Sequence, residues 1–118
     1  MPKRILIAED EPDIKELLAL IARRYGYVVV EANDGVDLLA AAAKEKFDLI
    51  ITDIKMPNLD GAAASEILKM QGNLLPIIAL TAFNPQDLVL VQDKFTKIFY
   101  KPCDVKELFQ YVNSLIGE

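Results

Sequence analysis

Five short apolar runs rich in branched residues, Ile5–Ala8, Val28–Val30, Leu49–Thr52, Ile77–Leu80 and Ile98–Tyr100, alternate along this chain with helical patterns. Each run is long enough only for a buried strand. Between them, Ile14, Leu17, Leu18, Ile21 and Tyr25 recur at helical spacing, as do Val105, Leu108, Phe109, Val112, Leu115 and Ile116, so each of these helices has one apolar face. The run from Leu39 to Ala43 also reads as helix. Asn84-Pro85 places a cap before a proline at a first helical position, Asp104 and Glu107 have capping-box spacing, and Gly26 suits the end of the first helix.

Alternation of strand and helix five times over predicts an α/β fold, in which a parallel sheet is covered on both faces through right-handed crossovers. The expected architecture is flavodoxin-like and doubly wound: five strands in the order 2-1-3-4-5 with five helices, forming one domain over residues 1–118. A length of 118 residues with 53% apolar content is enough for a single core that folds by itself.

Several functions are excluded by what the chain lacks. With no histidine it cannot run Ser-His-Asp or Cys-His catalysis, build most zinc sites or carry phosphohistidine. Thirteen basic against eighteen acidic residues leave a net charge of −5, which gives no support for direct binding to nucleic acid or anionic lipid. One cysteine, Cys103, permits no internal disulfide and reads as a small apolar side chain. No apolar stretch approaches the roughly 20 residues of a membrane span, and the start has no signal-peptide pattern, so a cytoplasmic protein with no membrane contact is expected. The start at Met1 and the end just after the last helix favour a stand-alone protein.

In a doubly wound sheet, ligands sit outside the carboxyl ends of the strands. There Glu9 and Asp10 follow the first strand, Asp53 the third, Thr81 the fourth and Lys101 the fifth. Two like charges about 4 Å apart repel by roughly 4 kcal/mol at an effective dielectric of about 20, so three carboxylates on one rim call for a cation. Mg²⁺ takes oxygen ligands, keeps several waters and bridges phosphate to a few carboxylates. Asp53 can then attack phosphorus to form an acyl phosphate, with Lys101 offsetting charge and Thr81 hydrogen-bonding a phosphoryl oxygen. Taken singly these residues have plainer readings: Glu9-Asp10-Glu11-Pro12 as a helix start with solvated charge, Lys101-Pro102 as a turn. Their co-occurrence at four strand ends favours phosphoryl transfer.

The runs Ile5-Leu-Ile-Ala-Glu-Asp-Glu-Pro12, Leu49-Ile-Ile-Thr-Asp-Ile-Lys-Met-Pro-Asn-Leu-Asp-Gly61, Ile78-Ala-Leu-Thr-Ala82 and Tyr100-Lys-Pro102 resemble, in order and spacing, the motifs of response-regulator receiver domains of two-component and phosphorelay systems. The resemblance covers essentially the whole chain. It implies that Asp53 is the acceptor, that Asp10 ligates Mg²⁺ directly, Glu9 largely through water and Lys55 through its carbonyl, and that Thr81 and Lys101 are the switch hydroxyl and lysine. It also implies a cis bond before Pro102, a histidine kinase or phosphotransfer protein as donor, a downstream protein partner, and a self-phosphorylating switch rather than an enzyme that turns over substrate. Lys55 and Phe83 would flank the phosphoryl group, and neither suits orienting a hydrolytic water, which predicts a long-lived acyl phosphate.

Three features depart from the family pattern: Ile98 where many members have a mobile Tyr or Phe, no Gly-Ala pair before the fifth strand, and a slightly short span from Thr81 to Lys101. They bear on the fourth helix and the output surface. Two other classes remain for comparison. An aspartyl-phosphate phosphatase of the haloacid-dehalogenase type would need a second Asp where Lys55 stands, and a nucleotide or flavin module would need a phosphate loop that is absent. A receiver-shaped module signalling without phosphate would have no use for the full acidic, hydroxyl and lysine set.

Overall fold

The computed structural model describes residues 2–117. Its elements run β1 Arg4–Ala8, α1 Pro12–Arg24, β2 Val28–Ala32, α2 Gly35–Lys44, β3 Leu49–Thr52, α3 Gly61–Met70, β4 Ile77–Thr81, β5 Lys97–Tyr100 and α4 Val105–Ile116. The strands pair in parallel in the order β2-β1-β3-β4-β5. Ala8 pairs with Thr52, Thr52 with Ala79 and Thr81 with Tyr100, which aligns the carboxyl ends of the four strands that precede the chemically suggestive residues.

The apolar runs are continuous because the sheet is buried on both faces. With a side-chain period of two, Leu6, Ala8 and Ile50 join one core with Leu38 of α2 and Leu68 of α3. Ile5, Ile7, Ile51 and Ile78 join the other with Leu18 of α1 and Leu108, Phe109 and Val112 of α4. Each fully buried side chain of this size contributes about 1.5–3 kcal/mol. Among the described residues, no helix is long and apolar enough to cross a membrane.

The first helix lies rotated from its expected face. Leu18, Ala19 and Ala22 are buried, Ile14 and Ile21 sit at the margin, and Leu17 and Tyr25 are exposed. The alanines let the helix approach the sheet closely, which the larger side chains would prevent. Its end is closed by Gly26 at φ +89°, with the Gly26 amide bonded to the Arg23 carbonyl at 2.9 Å and the Tyr27 amide to that of Ala22 at 3.2 Å. At the start of α4, Asp104 accepts from the Lys106 amide at 2.9 Å, so of the expected box only the Asp half forms among the described residues.

Among the described residues there are four α-helices where five were expected. The crossover from β4 to β5 is instead two 3₁₀ turns, Pro85–Leu88 and Gln92–Lys94. The Asn84-Pro85 start does initiate a turn, closed by the Asn84 amide on the Asp87 carboxylate at 3.3 Å. It propagates through i to i−3 bonds, Val91 to Leu88 and Lys94 to Val91, both 3.0 Å. A 3₁₀ turn rises about 2.0 Å per residue against about 1.5 Å in an α-helix, so a short crossover can retrace the length of the sheet. Leu88 and Phe95 plug it into the core, the Ser65 hydroxyl bonds the Lys94 carbonyl at 2.7 Å, and Leu90 is left 93% exposed.

The loop after β3 returns to the start of α3 at Gly61, whose amide bonds the Ile54 carbonyl at 2.7 Å. A methyl at Gly61 would run into the Asp53 carbonyl and come within 3.1 Å of the Thr52 hydroxyl. Gly61→Ala should therefore cost about 1–3 kcal/mol through overpacking, read from urea unfolding midpoints; a variant as stable as the wild type would show that this approach is not needed.

Candidate functional site

At the carboxyl edge of the sheet, strand geometry fixes where each backbone ends. The Glu9 amide bonds the Ala32 carbonyl at 3.1 Å, that of Asp53 bonds Ala8 at 3.0 Å, and that of Lys101 bonds Thr81 at 2.7 Å. The residue after each strand is thereby still held by the neighbouring strand. The Lys101-Pro102 bond is cis.

These anchors bring Glu9, Asp10, Asp53, Thr81 and Lys101 together. The Lys101 ammonium lies 2.8 Å from Glu9 Oε1, 2.8 Å from Asp53 Oδ2 and 3.7 Å from Glu11 Oε1. Carboxylate oxygens of Glu9, Asp10 and Asp53 lie within 4.8 Å of one another. Glu9 is 1% exposed and sits beneath the others, Asp53 is buried at the floor, and Asp10 is exposed at the rim. The free lone pairs are partly taken: Asp53 Oδ1 accepts from the Ile54 amide at 2.7 Å and Glu9 Oε2 from the Glu11 amide at 3.2 Å. Thr81 is buried, and its hydroxyl oxygen accepts from the Phe83 amide at 3.1 Å, which leaves its proton free to donate.

Above this floor opens a cleft of about 620 Å³, with Lys55, Met56, Pro57 and Phe83 among its walls. The expected site residues therefore all border or underlie one cavity, Lys55 on its wall and Glu9 below it.

The electrostatics follow from one ammonium shared by several carboxylates. Burial raises the pKa of Glu9, helped by the charge of Asp53, while its bonds to Lys101 and the Glu11 amide pull the other way. Burial works against the charge of Lys101, yet hydrogen bonds to Asp53 and Glu9 outweigh it and raise its pKa. Lys101 divides itself between partners, so Glu9 receives less than its desolvation costs. Cys103 is raised by burial and by Asp104 and Glu107, which keeps it a thiol, as its expected apolar role requires. Phe99 packs edge-on against Tyr111 at 5.8 Å, and Tyr100 is exposed.

Two residues that bear on this site escaped the sequence reading. Asp34 accepts from the Asn58 side chain at 2.6 Å, and Asn58, in the loop between β3 and α3, has φ +69°. Asp34-Gly35 followed by Asp37 has the look of a helix cap, which was the available signal for one of the pair.

A family model described as "Response regulator receiver domain" matches residues 5–113. The transcriptional regulatory protein PdtaR of Mycobacterium tuberculosis is 48% identical over 91 residues, covering 75% of this chain and 43% of that protein. The response regulator TrrA of Thermotoga maritima, solved in complex with Mg²⁺ and BeF, superposes with a TM-score of 0.88 at 31% identity, covering 97% of this chain and 99% of that one. The receiver domain of a sensor histidine kinase from Pseudomonas aeruginosa, solved with magnesium in its active-site cleft, gives 0.89 at 30% identity and covers all of both chains. The chain spans less than half the length of the curated relatives it matches.

The raised pKa of Glu9 has a signed consequence for the metal-free protein. A carboxyl whose folded value exceeds its unfolded value contributes stability that is fully present below the unfolded value of 4.5 and is lost as pH rises through the folded one. Glu9→Gln removes that loss. The melting temperature of Glu9→Gln relative to wild type, measured without divalent ions, should thus climb as pH rises from about 4 to 8; a flat or falling difference contradicts it.

Proposed function

Because the chain belongs to the family of response regulator receiver domains, phosphoacceptor switches of two-component signalling, we propose that Asp53 accepts a phosphoryl group in a Mg²⁺-dependent reaction. The single observation that carries this reading is the placement of Asp53 on the floor of an open cleft, 2.8 Å from the Lys101 ammonium and grouped with Glu9 and Asp10. Residues 1–118 form one such domain, working in the cytoplasm, with a histidine kinase or phosphotransfer protein as donor and a protein as downstream partner. Nothing in its charge suits direct contact with nucleic acid or membrane.

The donor set fits Mg²⁺: hard carboxylate oxygens, one exposed, beside a cleft with room for retained water. Asp10, Asp53 and the Lys55 carbonyl would hold it directly and Glu9 largely through water. When bound, the cation neutralises charge on the carboxylates and on the phosphoryl oxygens.

The chain's own residues do the rest. A carboxylate oxygen of Asp53 forms a bond to phosphorus as the bond from phosphorus to the donor imidazole nitrogen breaks, and the electron pair leaves with that nitrogen. Lys101 is positioned to offset charge on the transferring group, and the free Thr81 proton can be donated to one of its oxygens. Because the same hydroxyl oxygen accepts from the Phe83 amide, any shift of Thr81 toward that phosphoryl oxygen is felt by the backbone leading into the two 3₁₀ turns. Ile98, half-buried in the core on the α3 side, needs no ring movement for this.

Incubation with acetyl phosphate and Mg²⁺ should yield one phosphoryl adduct by intact mass, lost on omitting the metal and in Asp53→Asn. An Asp53→Asn protein that still takes up phosphate at full yield would refute the assignment, and steady phosphate release from many substrates would indicate an enzyme instead.

Lifetime of the adduct provides a separate check. Lys55 and Phe83 wall the cleft and offer no group that positions a water in line with the phosphorus–oxygen bond. The wild-type adduct should outlast those of Lys55→Asn and Phe83→Ala, followed by mass after the donor is removed. If the wild type decays fastest, or all three decay alike, the two side chains do not shield the phosphoryl group.

A further inference from the structure

The loop from Asp53 to Asp60 joins β3 to α3, and its two ends are fixed by strand pairing and by the bond of the Gly61 amide to the Ile54 carbonyl. Its middle carries Lys55, whose carbonyl belongs to the proposed cation site. Its tip is Asn58, the one non-glycine with positive φ among the described residues. Asparagine tolerates that left-handed conformation better than most residues, but still at a cost, so something must hold it there.

The holder comes from a different part of the sheet. Asp34 sits at the start of α2, beyond the end of the edge strand β2, and is buried. Its Oδ1 accepts from the Asp37 amide at 2.8 Å and caps α2. Its Oδ2 accepts from Asn58 Nδ2 at 2.6 Å. Next to it, the Gly35 amide bonds the Leu59 carbonyl at 3.0 Å, and a side chain at Gly35 would collide with that carbonyl. The loop tip is therefore clamped to α2 at two consecutive residues, by one charge-assisted bond and one backbone bond. Those same hydrogen bonds, from the Asp37 amide first and Asn58 second, keep the Asp34 carboxyl below its ordinary range and hence ionised.

Resting on the proposed reading of the cleft as a Mg²⁺-dependent phosphoacceptor site, we infer that Asp34 is a positioning residue for it. By holding Asn58, Asp34 fixes the loop that presents the Lys55 carbonyl, and so sets the affinity for the cation without touching it. Residues that orient ligands from behind commonly change metal affinity by about 10-fold to 100-fold when altered.

Asp34→Asn separates this role from capping. Its carbonyl oxygen can still accept from the Asp37 amide, but its NH₂ meets the NH₂ of Asn58 or, once that amide turns over, its Oδ1, so a neutral bond at best replaces the charge-assisted one. The double variant Asp34→Asn with Asn58→Asp exchanges donor and acceptor, restores the bond and keeps the wild-type net charge. Two readouts apply: Mg²⁺ affinity by calorimetry and, in metal-free protein, hydrogen exchange of the Gly35 amide. Asp34→Asn should bind Mg²⁺ about tenfold more weakly and exchange Gly35 faster, and the double variant should recover both. Unchanged affinity or unchanged exchange in Asp34→Asn overturns the inference, as does a double variant that recovers neither. A wild type that binds no Mg²⁺ overturns instead the reading of the cleft on which the inference rests, and it falls with it.

Discussion

One ammonium group holds the working edge of this protein together. Lys101 bridges Glu9 and Asp53 from a different strand end than either, and without it three carboxylates would be left facing one another at the carboxyl rim of a buried sheet. The compensation is incomplete, since Glu9 is buried more thoroughly than its share of Lys101 repays. A site left with excess negative charge suits a cation, which is the basis of the proposed Mg²⁺-dependent reading. The electrostatic cost of assembling the rim and its capacity for chemistry are thus the same fact.

That arrangement depends on the sheet being parallel and covered on both faces. Parallel pairing puts every carboxyl end on one side, and the order β2-β1-β3-β4-β5 makes β1, β3, β4 and β5 neighbours, so residues separated by most of the chain meet within hydrogen-bonding distance. Helices on both sides leave the rim as the place where polar groups can gather without being stranded in the core. The backbone bonds from Glu9, Asp53 and Lys101 to neighbouring strands extend the rigidity of the sheet one residue into the loops.

Rigidity is not uniform around the cleft. The loop between β3 and α3 is closed at its base by Gly61 and clamped at its tip to α2. The crossover between β4 and β5 is held by Leu88, Phe95 and the Ser65 bond to Lys94, with Val89 and Leu90 turned outward. Thr81 is bonded to the first residues of that crossover through the Phe83 amide. A change at the site accordingly meets a wall clamped at its tip on the α2 side and an irregular one of two 3₁₀ turns on the β5 side.

What the sequence by itself determined was whatever depends on near neighbours or on a single repeated constraint. The five strands were legible because burial on both faces forces unbroken branched apolar runs, and the C-terminal end of α1 was legible from Gly26. The five residues that converge at the rim were legible because each stands directly after or at the end of such a run, so the strand pattern located them. Tertiary structure decided the rest. Whether Leu17 or Ala22 faced the sheet turned on how closely the helix could approach it, and the replacement of a helix between β4 and β5 by two 3₁₀ turns turned on the distance a short crossover had to cover. The bond from Asp34 to Asn58 joins residues 24 positions apart on loops of different strands. No periodicity or spacing records such a pair, because what brings it together is the packing of the whole sheet and not the sequence around either residue.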